Sequence, residues 1–232
     1  MPARSKPSDV DLFALLKAEL HTAVVGDILD QMGCRRQFLP QAIQPLRSTM
    51  KIAGRAMPVL EADIFDAGRD TSRGPLARKQ FGLMLEALDD LQAGEIYIAT
   101  GSSLRYALWG ELMSTRAMHL KAAGAILDGY IRDATQIEAL GFTVFGRGLY
   151  AQDQGPRGKV IDFRSAIEIE GVRIQPDDLL FGDREGVLVI PREAEEECIR
   201  RSLEKAKTEG DVGKAIRAGM STVEAWAKFG VM

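Results

Sequence analysis

Two short segments hold the residues best suited to chemistry, Trp109-Gly-Glu-Leu-Met113 and Asp128-Gly-Tyr-Ile-Arg-Asp133. Gly110 stands where a loop enters a helix. The first N–H groups of a helix have no intrahelical partner and carry a partial positive charge. A glycine there lets a ligand approach the backbone closely. The backbone of Gly110 to Met113 is therefore a candidate cradle for a carboxylate. Arg132 and Asp133 follow a buried strand candidate, Ala125-Ile-Leu-Asp128, at its C-terminal end, where α/β sheets place ligand sites.

The surrounding elements can bring these segments together. Glu95-Ile-Tyr-Ile-Ala-Thr100 reads as a strand, Gly101-Ser-Ser as a turn, Glu111 to Ala123 as a helix and Gly124 as its stop. In that helix Leu112, Met113, Arg116, Ala117 and Leu120 fall at helical spacing. Strand, helix and strand form a βαβ unit, with a parallel pair and a right-handed crossover. The crossover returns the helix start to the edge where the second strand ends, so Gly110 to Met113 and Arg132-Asp133 are expected to converge. The same residues also admit an ordinary reading. Glu111 is then a first-turn acid favoured by the helix dipole, Arg132 a surface cation and Asp133 an N-cap.

The other elements follow from periodicity and capping chemistry. Helices are expected from Val10 to Leu20 behind an Asp9 cap, from a Thr22 cap to Gly33, over Leu76 to Leu91, and over Asp133 to Leu140. Pro191 opens a long one to about Gly210, and Ser221-Thr222 a short last one. Strands are expected at Ile52–Ile64, Phe142–Phe145, Val160–Phe163, Ala166–Ile169, Val172–Ile174 and Gly186–Ile190, the later ones as a meander. Residues 146–160 read as a loop, Asp183 and Glu185 as turn residues, and residues 1–8 as a tail.

With 232 residues, 46% of them hydrophobic and 27% charged, the chain is long enough for one sizeable core. The net charge of −3 argues against a nucleic-acid binder or a polybasic membrane-surface protein. Cys34 and Cys198 make neither a disulfide framework nor a metal pair, and His21 and His119 lie too far apart for a zinc helix. Gly146-Arg-Gly148 lacks the remainder of a dinucleotide fingerprint. A polar N-terminus without a following apolar stretch points to the cytoplasm. With few histidines and no cysteine cluster, any metal site should be rich in oxygen ligands. Such a site suits Mg²⁺ with one or two carboxylates and several waters, or Mn²⁺ in its place.

The chain resembles the RraA-like family, which includes the 4-hydroxy-4-methyl-2-oxoglutarate / 4-carboxy-4-hydroxy-2-oxoadipate aldolases. Thr22-Ala-Val-Val-Gly-Asp-Ile-Leu-Asp-Gln-Met-Gly33 is similar to its N-terminal segment, and Trp109 to Met113 with Gly124 to Asp133 to its core. Val144 to Gly148, Gly182 to Pro191 and Gly219 to Trp226 follow in family order. The most specific element is an acid, twenty intervening residues and Arg-Asp, here Glu111, residues 112–131, Arg132 and Asp133. The aldolases carry Asp where this chain has Glu111.

The resemblance implies one domain over residues 1–232 with an α/β/β swivelling-domain (phosphohistidine-domain-like) core and C-terminal helices over 191–232. It implies a divalent-metal pyruvate aldolase that cleaves a 4-hydroxy-2-oxo acid such as 4-hydroxy-4-methyl-2-oxoglutarate and also decarboxylates oxaloacetate. Asp133 would bind Mg²⁺ and Arg132 the keto oxygen. The backbone of Gly110, Leu112 and Met113 would hold the carboxylate, and Glu111 would orient the water that takes the C4-hydroxyl proton. A further acid is expected from a neighbouring subunit of a homotrimer or dimer of trimers. Glu209 matches it best, with a solvated surface glutamate as the rival reading. No nucleic-acid or membrane partner is expected. The alternatives are a non-catalytic ribonuclease regulator, as in family members without the complete metal motif, and a metal-dependent lyase or hydrolase acting on another sugar-derived 2-oxo acid.

Overall fold

The computed structural model describes residues 8–64, 74–76 and 78–231. The helices are α1 (Asp9–Glu19), α2 (Thr22–Gln31), α3 (Met84–Asp89), α4 (Glu111–His119), α5 (Ala134–Leu140), α6 (Glu195–Arg217) and α7 (Thr222–Phe229). The strands are β1 (Gln44–Pro45), β2 (Ile52–Asp63), β3 (Glu95–Thr100), β4 (Ala107–Trp109), β5 (Gly124–Leu127), β6 (Tyr130–Ile131) and β7 (Val144–Gly146), followed by β8 (Gly148–Leu149), β9 (Gly158–Phe163), β10 (Ile167–Ile169), β11 (Val172–Ile174), β12 (Leu179–Asp183) and β13 (Gly186–Ile190).

The main sheet runs β1-β7-β5-β3-β2-β12-β13, with β9 also paired to β2. β2, β3, β5 and β7 are mutually parallel neighbours in chain order. Their crossovers carry α3, α4 and α5, which all pack on one face through Met84, Ala87, Leu88, Ala117 and Ile137. Repeated crossovers of one hand moving one way across a sheet put every helix on the same side. Strand alternation sorts the core: Tyr97 and Ala99 face those helices, while Ile96 and Ile98 face the β10–β11 hairpin. Helices, main sheet and hairpin therefore stack as three layers. A third cluster joins α1, α2 and α6 to β12 and β13 through Leu16, Leu29, Phe181, Ile190 and Cys198.

Several boundaries differ from expectation. Ser8, not Asp9, caps α1, its Oγ accepting from the Asp11 N–H at 3.3 Å. The Asp9 carboxylate is engaged by Arg55. The remaining residues of the expected tail, 1–7, lie outside the described residues. Thr22 is the first residue of α2 rather than its cap, because its N–H and hydroxyl both donate to the buried Asp183 carboxylate at 2.8 Å. Asp183, expected in a turn, is instead the last residue of β12 and the anchor of α2; the turn itself is Arg184-Glu185. α3 is much shorter than Leu76–Leu91, since Gly82 bridges to Val160 and Leu83 donates to the Val160 carbonyl. α4 ends at His119 because Lys121 adopts a left-handed turn. α6 starts at Glu195 rather than Pro191 and passes Gly210, with Val212 buried in its next turn. The strand β12, which follows the turn at Pro176-Asp177, is absent from the strands expected above.

Among the described residues no helix is long and apolar enough to cross a membrane.

Asp183→Ala should leave the Thr22 N–H and hydroxyl without an acceptor in a buried site. The expected loss is about 1–3 kcal/mol. It should be read as a lower urea midpoint at unchanged slope, with Asp183→Asn milder because one acceptor remains.

Candidate active site

Each of three parallel strands breaks once and resumes in a second, small sheet of order β4-β6-β8. β3 leads to β4, β5 to β6 and β7 to β8, all parallel. Asp128 fastens the breaks, accepting from Thr100 Oγ1 at 2.6 Å and from Arg147 Nε at 2.5 Å. Sequence reading missed these two- and three-residue strands because they are too short to show a period. They matter because α4, the Arg132-Asp133 pair and the 150–157 segment all emerge from their ends.

The convergence expected of the βαβ unit is present. Asp133 Oδ2 accepts the Glu111 N–H at 3.1 Å. Asp133 stands at the N-cap position of α5 but caps nothing there; its backbone is left-handed (φ 57°), and its side chain serves the start of α4 instead. Asp is one of the few side chains that tolerate this backbone. Gly110 makes room, since a Cβ there would lie 2.7 Å from Asp133 Oδ2. Beneath it Trp109 is buried between Tyr97 and Phe142, with its Nε1 donating to Ser114 Oγ at 2.7 Å. Ser114 Oγ in turn donates to the Gly110 carbonyl at 3.1 Å.

Arg132 lies between two carboxylates. Its Nη1 donates to Asp153 Oδ1 at 2.6 Å, and its Nε is 3.5 Å from Asp133 Oδ2. Its backbone N–H joins the small sheet through the Trp109 carbonyl at 2.9 Å. Asp153 was not identified from sequence: it belongs to the stretch 146–160 expected as one loop, which the structure instead divides with β8 and the start of β9, and residue types alone do not select one carboxylate there. Its only signal is that it is an acid in a loop following a strand of the parallel set.

These groups border a cavity of about 530 Å³. Gly110, Arg132, Asp133 and Asp153 form its polar side, and Phe81, Met84, Leu85, Leu88, Leu108 and Leu112 much of its apolar wall. Leu112 was expected on the packed face of α4; it is instead 78% exposed, because the first turn of the helix projects past the core. Met113 is partly buried against the core. Gly110 offers no side-chain cap, so the N–H groups of Leu112 and Met113 keep the open valence of a first turn. The Glu111 carboxylate accepts from Thr115 Oγ1 at 3.0 Å and does not line the cavity; what Glu111 brings to Asp133 is its N–H. Glu209 lies on α6, 3.6 Å from Lys205 Nζ, on a helix that packs against α2 and α7.

Behind the cavity lies a second polar layer. Gln154, a lining residue, donates through Nε2 to Glu61 Oε2 at 2.6 Å. Burial, with the Asp63 charge two residues away, pushes the Glu61 carboxyl up to about 8. Burial likewise raises the Tyr97 phenol. Burial pushes Asp63 upward, but hydrogen bonds from Ser103 and Tyr106 outweigh it and leave the group below the usual carboxylate range.

The donor set bears on which metals suit the site. Among the described residues no three His, Cys, Asp or Glu side chains cluster as a metal cage. Asp133 offers one carboxylate beside an open cavity, which fits Mg²⁺ with waters and substrate oxygens completing its shell.

A family model described as RraA-like, aldolase/RraA, matches residues 22–189. "Protein DlpA" of Legionella pneumophila is 27% identical over 88% of this chain, and the chain spans 31% of that protein's length. A Halalkalibacterium halodurans protein named "Putative 4-hydroxy-4-methyl-2-oxoglutarate aldolase" is 28% identical, over 88% of this chain and 89% of that one. Among solved structures, Streptomyces coelicolor RraAS2, described as an unusual member of the RNase ES inhibitor RraA protein family, superposes with a TM-score of 0.73. It is 18% identical and covers 89% of this chain and 98% of its own, a likeness of fold.

Asp133→Ala removes one hydrogen bond at a helix start. With the strain of alanine on a left-handed backbone, the cost should be about 2–3 kcal/mol, leaving a folded protein whose circular-dichroism melt is lowered by several degrees.

Proposed function

The chain belongs to the RraA-like family, and from that premise we propose that it is a divalent-metal-dependent pyruvate aldolase that splits a 4-hydroxy-2-oxo acid into pyruvate and a second carbonyl compound. The observation that carries this reading is the meeting of Asp133, Arg132 and the start of α4 on one cavity. Gly110, Leu112, Met113, Arg132 and Asp133 all border that cavity, which supports the reading.

The first-turn N–H groups of Leu112 and Met113 hold the carboxylate of the 2-oxo acid, as helix N-termini hold anions. Arg132 donates to the keto oxygen. When the C3–C4 bond breaks, its electron pair passes toward that oxygen, and the C4 hydroxyl becomes a carbonyl as it loses its proton. Asp153 holds the guanidinium before the reaction, so it need not reorient as charge develops. Mg²⁺ or Mn²⁺ bound at Asp133 would supply Lewis acidity for the same charge. In this reading Glu111 orients the water that takes the hydroxyl proton, its carboxylate turning from Thr115 toward the cavity, and that water returns the proton to C3 of the enolate to give pyruvate. Loss of CO₂ from oxaloacetate leaves the same enolate. In this reading a further acid, Glu209, comes from a neighbouring subunit of a trimer or dimer of trimers, and the enzyme works in the cytoplasm on a small-molecule substrate.

A second reading, a non-catalytic binding protein of the ribonuclease-regulator kind, is favoured by one observation: the Glu111 carboxylate turns to Thr115 rather than to the cavity. Capture of a ribonuclease complex together with no metal-dependent turnover would favour it.

Purified protein with Mg²⁺ should release pyruvate from oxaloacetate, monitored by coupling to a dehydrogenase, and EDTA or Asp133→Ala should abolish the release. Arg132→Lys, which keeps the charge but loses the planar fork, should reduce the rate about 10²–10³-fold. Turnover that survives both EDTA and Asp133→Ala would overturn the assignment. A screen of 4-hydroxy-2-oxo acids, 4-hydroxy-4-methyl-2-oxoglutarate among them, should find one that releases pyruvate in the same coupled assay.

A further inference from the structure

Glu61 has no part in the chemistry above, and its surroundings are unusual for an acid. It is 2% exposed near the C-terminal end of β2, an interior strand of the main sheet. The β2–β9 register shifts between Leu60 and Glu61. Such irregularities re-aim a side chain and often adjoin active sites. One carboxyl oxygen accepts from the neutral Gln154 amide at 2.6 Å, and the other has no hydrogen-bond partner among the described residues. The titratable groups around it are Asp63 on its own strand, Tyr97 on β3 and Tyr106 ahead of β4. An ionised carboxylate in such a place is heavily penalised, whereas a neutral carboxyl is tolerated.

Gln154 sits in a segment with two faces. Its own side chain points back to Glu61, while the adjacent Asp153 reaches forward to Arg132. Within the segment Asp153 Oδ2 accepts the Gly155 N–H, the Asp153 carbonyl accepts from Arg157 Nη1, and the Gln154 carbonyl accepts the Arg157 and Gly158 N–H groups. These bonds fix the shape of the turn. The Gln154–Glu61 bond ties that turn to the interior of the sheet.

We propose that Glu61 is a positioning residue of this site: a buried, neutral carboxyl that holds Gln154 and so sets the segment presenting Asp153 to Arg132. The proposal rests on the aldolase reading for its activity arm only. Titration follows from the geometry. The folded protein keeps a proton on Glu61 between the ordinary carboxylate range and about pH 8. The stability tied to that proton is complete below the unfolded value and is lost as the pH rises through about 8. Above that pH a charge must be hydrated, and the segment should loosen.

Hydrogen exchange of peptides covering residues 150–158, measured on the full chain, tests this. At pH 7 the wild type and Glu61→Gln should be equally protected. At pH 9.5 the wild type should exchange at least tenfold faster than Glu61→Gln, whose amide cannot ionise. Glu61→Leu, which removes the acceptor, should be unprotected at both pH values. In the oxaloacetate assay the wild type should lose kcat above about pH 8 with little change in KM, and Glu61→Gln should not. Identical exchange of wild type and Glu61→Gln at pH 9.5, or full protection in Glu61→Leu, would overturn the proposal. The exchange pattern without turnover of any 2-oxo acid would keep it and remove the aldolase reading instead.

Discussion

The Asp133 carboxylate lies against a stretch of backbone that has no Cβ to displace it, and takes the first N–H of α4. That contact joins two crossovers of the sheet, because Gly110 ends one segment of the small parallel sheet and Asp133 follows another. It needs three things at once. The backbone at Asp133 must be left-handed, position 110 must be glycine, and β4 and β6 must end level with each other. The buried Trp109, hydrogen-bonded to Ser114, supports the turn from below. Arg132 is drawn in by the same arrangement, since its N–H belongs to the small sheet and its guanidinium bridges Asp133 and Asp153.

The polar side of the cavity faces a largely apolar wall, and the contrast has an electrostatic consequence. Charges on Arg132 and Asp133 interact more strongly beside low-dielectric packing than they would in water. The layer behind them is protein rather than solvent. Glu61 and Tyr97 are buried acids whose neutral forms are favoured by desolvation. Neutral Glu61 holds Gln154 through a hydrogen bond, while the charge of Asp63 in the same layer is held by the Ser103 N–H and the Tyr106 hydroxyl.

The scaffold elsewhere handles its buried charges differently. Arg55, nearly buried on β2, pairs with Asp9 at the start of α1 and Glu195 at the start of α6. Burial works against its charge, and the two carboxylates more than restore it. Both acids sit in first helical turns, where the helix dipole also favours them. The ends of two helices are thereby fastened to the strand that carries Glu61 at its far end.

Much of this architecture was legible in the residues. Short apolar runs and glycine stops locate β3, β5, β13 and the βαβ unit, and the crossover rule brings Gly110 and Arg132-Asp133 to one edge. The Ser221 capping chemistry marked α7, whose capping box with Glu224 is formed. Local sequence determined these features because they depend on contacts within one turn or one strand. What the tertiary structure decided depends on partners far away in the chain. Thr22 meets Asp183 across 161 positions, Gln154 meets Glu61 across 93, and Asp153 reaches Arg132 from a loop with no period to read. An acid's role as cap, anchor, neutral tether or ion-pair partner is set by its burial and by which donors arrive beside it, and neither is encoded in its immediate neighbours.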